Sequence, residues 1–195
     1  MKKPIKGEYL ESILRSPHTV FTTEDVALLW REDDRAVVTN RLKAYVTDGK
    51  LVRLRRGVYA KDAQYDPLEM ATRLYTPSYV SFETVLAREG VIFQYYKTIF
   101  VATYLTRAVE VNNHHVQLIR VKENILNSAA GIDHTSGYAT ATKERAILDR
   151  MYSGGDYHFD NLAGVDWDRI EELVPLYANK RLERAVAKLK KEQTT

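Results

Sequence analysis

The side chains best placed to do chemistry are cationic and amide groups gathered in one short stretch. Ala36, Thr39, Asn40 and Lys43 fall at i, i+3, i+4 and i+7, which is one face of a helix. That face is small, hydrogen-bonding and cationic, without bulk. It can enter a DNA major groove, where hydroxyl, amide and ammonium groups reach base edges and phosphates. Arg35 opens the same helix, and Arg53, Arg55 and Arg56 follow it. Positions 41–61 hold seven basic residues (Arg41, Lys43, Lys50, Arg53, Arg55, Arg56, Lys61) against one acid, Asp48. The candidate DNA-binding set is therefore Arg35, Thr39, Asn40, Lys43, Arg53, Arg55 and Arg56, and its chemistry is recognition of a polyanion.

Bond-making constellations have no comparable support. There is no Gly-rich phosphate loop and no His-Glu-x-x-His, and zero Cys excludes thiol catalysis and Cys-ligated metals. His114 and His115 are adjacent, so in a strand they point to opposite faces and cannot share a metal. His134 and His158 lie near Asp133, Asp156 and Asp160 in loops, where such groups are usually just solvated. Glu144 and Asp149 are five apart and diverge by more than a quarter turn on a helix, a poor carboxylate pair. Ser78 and Ser81 have no base marked by spacing. The thirteen Tyr residues invite a stacking role on single strands, but Tyr45, Tyr104 and Tyr152 sit in apolar patterns and read as core. The expectation is no catalytic residue, no metal, no cofactor, and no enzyme.

The elements that must position the basic face read as three helices and a hairpin. Ile5, Tyr9, Leu10, Ile13 and Leu14 form one stripe of a first helix, which Ser16-Pro17 stops. Thr22 with Glu24 and Asp25 caps a second, whose apolar face is Val26, Leu28, Leu29 and Trp30. Arg31-Glu32-Asp33-Asp34 is the turn. The third helix runs from about Asp34 to Thr47, with Val38, Leu42, Tyr45 and Val46 facing its predecessors, and Asp48-Gly49 ends it. Leu51–Leu54 and Val58–Ala60 are strands around an Arg55-Arg56-Gly57 turn. A helix–turn–helix followed by a basic hairpin is a winged helix, whose wing can touch phosphate or the minor groove.

Asp66-Pro67 is the expected boundary, giving a winged helix-turn-helix domain over 1–65 and a second domain over 66–195. Leu68–Leu74 and Ser78–Glu89 read as helices. Period-two segments follow at 99–103, 108–111 and 116–121, with Asn112-Asn113 as a turn. Thr142 caps a helix through Tyr152, another surrounds Trp167, Ile170, Leu173 and Val174, and a last one covers Lys180 to Lys191. The fold class is α+β, a winged helix followed by a mixed α+β domain with an antiparallel sheet and a basic C-terminal helix. Lys180, Arg181, Arg184, Lys188 and Lys191 of that helix are the candidate secondary DNA contact.

The 195 residues carry 29 basic and 26 acidic side chains, unevenly spread. Residues 1–65 hold 13 basic and 9 acidic groups, 66–179 hold 10 and 15, and 180–195 hold 6 and 2. A basic head and tail around an acidic middle fit a polyanion partner. An apolar fraction of 45% and no apolar run of membrane-spanning length predict a folded, cytoplasmic and unprocessed chain with no membrane partner.

Residues Leu42 to Tyr59 (LKAYVTDGKLVRLRRGVY) resemble the winged helix of AbiEi-type antitoxins. Thr76 to Leu86 is similar to the segment that follows it in that family, and Ile99 to Thr103 to the next strand. Ala141 to Asp149 (ATKERAILD) resembles the family's Ala-Thr-Pro-Glu-Lys-Ala-Leu-Leu-Asp helix start, with Lys143 where that pattern has Pro. The resemblance spans about residues 20–155; the final helices match in general character only. It implies the antitoxin of a type IV toxin–antitoxin, or abortive infection, system. The head would repress its own operon by binding inverted repeats in double-stranded promoter DNA. The body would antagonise a nucleotidyltransferase-like toxin without a stable complex. Two other readings stand beside it: a ligand-responsive winged-helix repressor, and a nucleic-acid-modifying enzyme with a winged-helix adaptor.

Overall fold

A computed structural model describes residues 7–155 and 157–193. The chain divides into two compact units, the first ending at Leu74 and the second beginning at Tyr75.

The first unit opens with α1 (Glu8–Arg15), β1 (Val20–Thr22), α2 (Thr23–Trp30) and α3 (Arg35–Thr47). Thr22 caps α2 reciprocally with Asp25: the Thr22 hydroxyl accepts from the Asp25 amide at 3.1 Å, and the Asp25 carboxylate accepts from the Thr22 amide at 2.8 Å. Arg31 ends α2 in the left-handed conformation (φ 52°). Tyr9, Ile13, Phe21, Val26, Trp30, Val38, Leu42, Leu51 and Tyr59 make one core. Trp30 stands edge-on to Tyr9 and donates its indole N–H to the Tyr9 carbonyl at 2.9 Å. The buried stripes are narrower than expected: Leu14 is exposed, Leu28 is 79% exposed, and Ile5 lies outside the described residues. The eight-residue α1 and α2 are too short to bury more than one or two turns of side chains against α3.

Strands β2 (Val52–Arg55) and β3 (Val58–Ala60) form the expected hairpin, and β1 pairs with the other edge of β3, all antiparallel. Strand β1 has no signature in the sequence, because three residues ending on a helix cap carry no period. The boundary at Asp66-Pro67 is also displaced. Helix α4 (Pro67–Arg73) belongs to the first unit, because the buried Glu69 carboxylate accepts from the Thr19 amide (2.8 Å), the Thr19 hydroxyl (2.6 Å) and the Val20 amide (3.3 Å). His18 Nδ1 lies 2.9 Å from the same carboxylate, and Arg73 joins Asp25 at 3.1 Å.

The second unit holds a sheet of β4 (Tyr79–Val80), β5 (Ile99–Thr103), β6 (Arg107–Val111), β7 (His114–Arg120), β8 (Ile132–Asp133) and β9 (Thr140–Ala141). The strand order is β6-β7-β5-β4-β9-β8. The α+β class stands, but this sheet is mixed rather than antiparallel, since β5 pairs parallel with β7 and β4 parallel with β9. Three linking residues, 104–106, carry the chain from β5 to a strand position two places away. The Asn112-Asn113 turn (φ 45° and 66°) then returns β7 into the gap. A period of two reports pleating, not the direction of a neighbour.

Helices α5 (Phe82–Arg88), α6 (Glu123–Leu126), α7 (Lys143–Ser153), α8 (Trp167–Leu173) and α9 (Lys180–Gln193) complete this unit. The helix expected from Ser78 begins only at Phe82. The preceding residues are drawn into the sheet instead: the Val80 amide donates to Ala139 (2.9 Å) and the Ser81 amide to Phe100 (3.2 Å). Thr142 caps α7 as expected, accepting from the Arg145 amide, so the missing Pro at Lys143 leaves the helix start intact. Among the described residues, no helix is long and apolar enough to cross a membrane.

Candidate nucleic-acid interface

The candidate face is set by how α3 is seated. Asp34 caps it, accepting from the amides of Ala36 (2.8 Å) and Val37 (3.3 Å). Val38 and Leu42 are fully buried, and the Arg41 guanidinium lies 3.7 Å from the Tyr9 ring centroid, so Arg41 covers the core. The opposite side stays open: Ala36, Asn40 and Lys43 are exposed and Thr39 is half-buried. Among the described residues, the side chains of Thr39, Asn40 and Lys43 make no hydrogen bond or ion pair within the protein. Three adjacent polar groups are thus presented outward by a rigidly packed helix.

Arg35 is exposed but engaged by Glu24 of α2. An ion pair between two exposed side chains is worth little, so it exchanges readily for a phosphate. In the hairpin, Arg53 and Arg56 are exposed, and Gly57 (φ 80°) supplies the left-handed turn. Arg55 departs from the expected turn position. It is the half-buried last residue of β2, because a register shift between Arg53 and Arg55 inserts the buried Leu54 as an extra residue. The Thr23 amide donates to the Gly57 carbonyl at 3.0 Å, tying the start of α2 to the hairpin turn.

Lys180, Arg181, Arg184, Lys188 and Lys191 are all exposed along one side of α9, opposite buried Leu182 and Val186. Arg181 has a structural task as well. It donates to the carbonyls of Met151 (3.3 Å) and Tyr152 (3.1 Å), a cation at the carboxyl end of α7. Lys188 pairs with Glu192 at 3.8 Å.

One cluster in the second unit is absent from the expected site residues. Arg145 and Asp149, both 0% exposed, lie 3.5 Å apart on α7. Asp149 accepts from the hydroxyls of Ser81 (2.7 Å), Tyr177 (2.7 Å) and Tyr79 (3.2 Å). Arg145 donates to the carbonyls of Ala130 (2.6 Å) and Ile125 (2.7 Å) and to Tyr79 (3.0 Å). Burial pushes the Asp149 carboxyl above its usual range, and the Arg145 charge and three hydroxyl donors pull it back. Burial and the Asp149 charge drive the Tyr79 and Tyr177 hydroxyls well above theirs. Ser81 is 0% exposed, so its bond to Asp149 is an internal tie with no open approach for a substrate. The one available signal was the i, i+4 spacing of Arg145 and Asp149 in a helix otherwise rich in apolar residues. His114 and His115 open β7, which begins two residues before the strand expected at 116–121, Asp156 lies outside the described residues, and among the described residues no three His, Asp or Glu side chains converge as metal ligands.

No family model and no curated protein matches this chain. Among solved structures, the crystal structure of the RV2827C protein from Mycobacterium tuberculosis aligns over 95% of this chain and 73% of that one, at 15% identity and a TM-score of 0.46. Likeness at this level carries no argument about function.

Proposed function

We propose that the first unit is a winged helix-turn-helix that binds double-stranded promoter DNA, with α3 in the major groove and the β2–β3 hairpin as the wing. The observation that carries this reading is the open face of α3, where Thr39, Asn40 and Lys43 have no side-chain partners among the described residues while Val38 and Leu42 anchor the helix from behind. That face carries donors and acceptors suited to base edges. The exposed Arg53 and Arg56 supply phosphate or minor-groove contacts. The exposed basic side of α9 adds a sequence-independent contact through Lys180, Arg184, Lys188 and Lys191.

On the resemblance to AbiEi-type antitoxins, the chain is a cytoplasmic autoregulator that represses its own operon at inverted repeats. Its second unit antagonises a nucleotidyltransferase-like toxin without a stable complex. The chain itself performs no catalysis in this reading. Two measurements test it. Fluorescence anisotropy with DNA from upstream of its own gene should give salt-dependent, sequence-selective binding. Co-expression with a neighbouring nucleotidyltransferase gene should restore growth. Equal affinity for promoter and unrelated DNA overturns the repressor role, and failure to restore growth overturns the antitoxin role.

A further inference from the structure

The second unit contains a cavity of about 760 Å³ that the DNA-binding reading does not use. It opens at the carboxyl ends of the parallel strands β5 and β7. Tyr104 directly follows β5, Arg120 ends β7, and Val121 and Lys122 follow it. The Val121 amide donates to the Thr103 carbonyl at 2.9 Å, holding the two strand ends together. Side-by-side parallel strands whose chains leave in different directions create a crevice, and such crevices bind ligands in open sheets. Here the chain after β5 leaves for β6 at the sheet edge, whereas the chain after β7 enters α6.

Pro77 and the buried Val121 and Leu126 make an apolar lining. Tyr104 and Tyr152, expected in the core, instead line this cavity, Tyr104 half-exposed and Tyr152 half-buried. Tyr104 stands edge-on to Tyr75 at 6.3 Å and Tyr152 packs against Tyr177 at 5.3 Å, so each ring is braced by a neighbouring ring. The exposed Arg120 and Lys122 outnumber the one acid, Glu123, and among the described residues their side chains have no ion pair. Asn127 and Glu123 complete the polar part of the wall. Two free cations, two aromatic rings and a hydrogen-bonding pair suit a ligand that is anionic at one end and a flat heterocycle at the other. The volume is within the range of small-ligand sites.

We infer that this cavity binds a nucleoside phosphate, with Arg120 and Lys122 holding the phosphate and Tyr104 and Tyr152 flanking the base. The site lies wholly within the second unit, so it stands or falls independently of DNA binding.

The test is calorimetric titration of the full-length protein with the four nucleoside 5′-monophosphates, the matching nucleosides and inorganic phosphate. At least one monophosphate should bind, and its nucleoside and free phosphate should each bind roughly tenfold more weakly or worse. R120Q/K122Q should lose about tenfold or more in affinity and Y104A several-fold. K97Q, a surface charge removed outside the cavity, should bind as the parent does. Unchanged circular dichroism qualifies each variant, and R120Q alone serves if the double variant misfolds. The assignment is overturned if no monophosphate binds, if phosphate alone binds as tightly, or if the Arg120 variants bind normally.

Discussion

Asn40 and Lys43 project outward for the same reason that Val38 and Leu42 are buried: a 3.6-residue repeat places them on opposite sides of α3. If α3 reads DNA, N40A/K43A should lose about 1–3 kcal/mol for each base contact and relax preference at the matching positions. Anisotropy titrations against promoter and point-changed promoter check this. Parental affinity and selectivity in the folded variant would remove the assignment of α3 as the recognition helix. The two wing arginines should behave differently from one another. Arg56 is exposed at the turn, so R56A should weaken all sequences alike and reduce the slope of log affinity against log salt by about one. Arg55 is half-buried on β2, so R55A should also lower the thermal stability of the head. A salt slope identical to the parent's in R56A would place the hairpin away from DNA.

At the scale of elements, the decisive contact is between α4 and the segment leading into β1. The Glu69 carboxylate satisfies two backbone amides and a hydroxyl of Thr19 and Val20. E69A leaves those donors unpaired in a buried place and should cost about 2–3 kcal/mol, read as a lower urea midpoint at unchanged slope. The same latch predicts that a fragment ending at residue 74 folds cooperatively, whereas one ending at residue 65 is markedly less stable. Equal stability of the two fragments would show that α4 adds nothing to the head. The β1–β3 pairing explains why α4 matters, because α4 holds the strand that closes the three-stranded sheet.

At the scale of the molecule, the second unit is organised around the Arg145–Asp149 pair, which joins α7 to β4, the 3₁₀ turn at Val174–Tyr177 and the carbonyls of Ile125 and Ala130. R145M should cost about 3–5 kcal/mol, because it strands a buried carboxylate. The sign of its pH dependence follows. Burial holds the Asp149 pKa above its unfolded value, so the folded variant binds a proton the unfolded chain releases. Its stability is therefore greatest at low pH and is lost as pH rises through the folded pKa. Denaturation midpoints of parent and variant should converge on acidification, and a gap that widens at low pH would refute the account. R145M/D149L should cost less than the sum of the single changes.

Much of the secondary structure is legible in the amino-acid order because local chemistry decides it. The Thr22 and Thr142 caps, the turn before α3, the hairpin at Gly57, the Asn112-Asn113 turn and the two faces of α3 and α9 all follow from spacing and backbone preference within a few residues. The α+β class follows from the same signals. The rest was not legible, because it depends on groups far apart in the chain. A strand of two or three residues, such as β1 or β4, exists only because a distant strand offers it hydrogen bonds. The parallel pairing of β5 with β7 depends on where the β6–β7 hairpin lands. The end of the first unit moved from Asp66 to Leu74 because Glu69 reaches back some fifty residues to Thr19. Arg145 and Asp149, which as sequence are ordinary surface charges on a helix, became the buried centre of a domain because tyrosines 70 and 28 residues from Asp149 arrived to satisfy them.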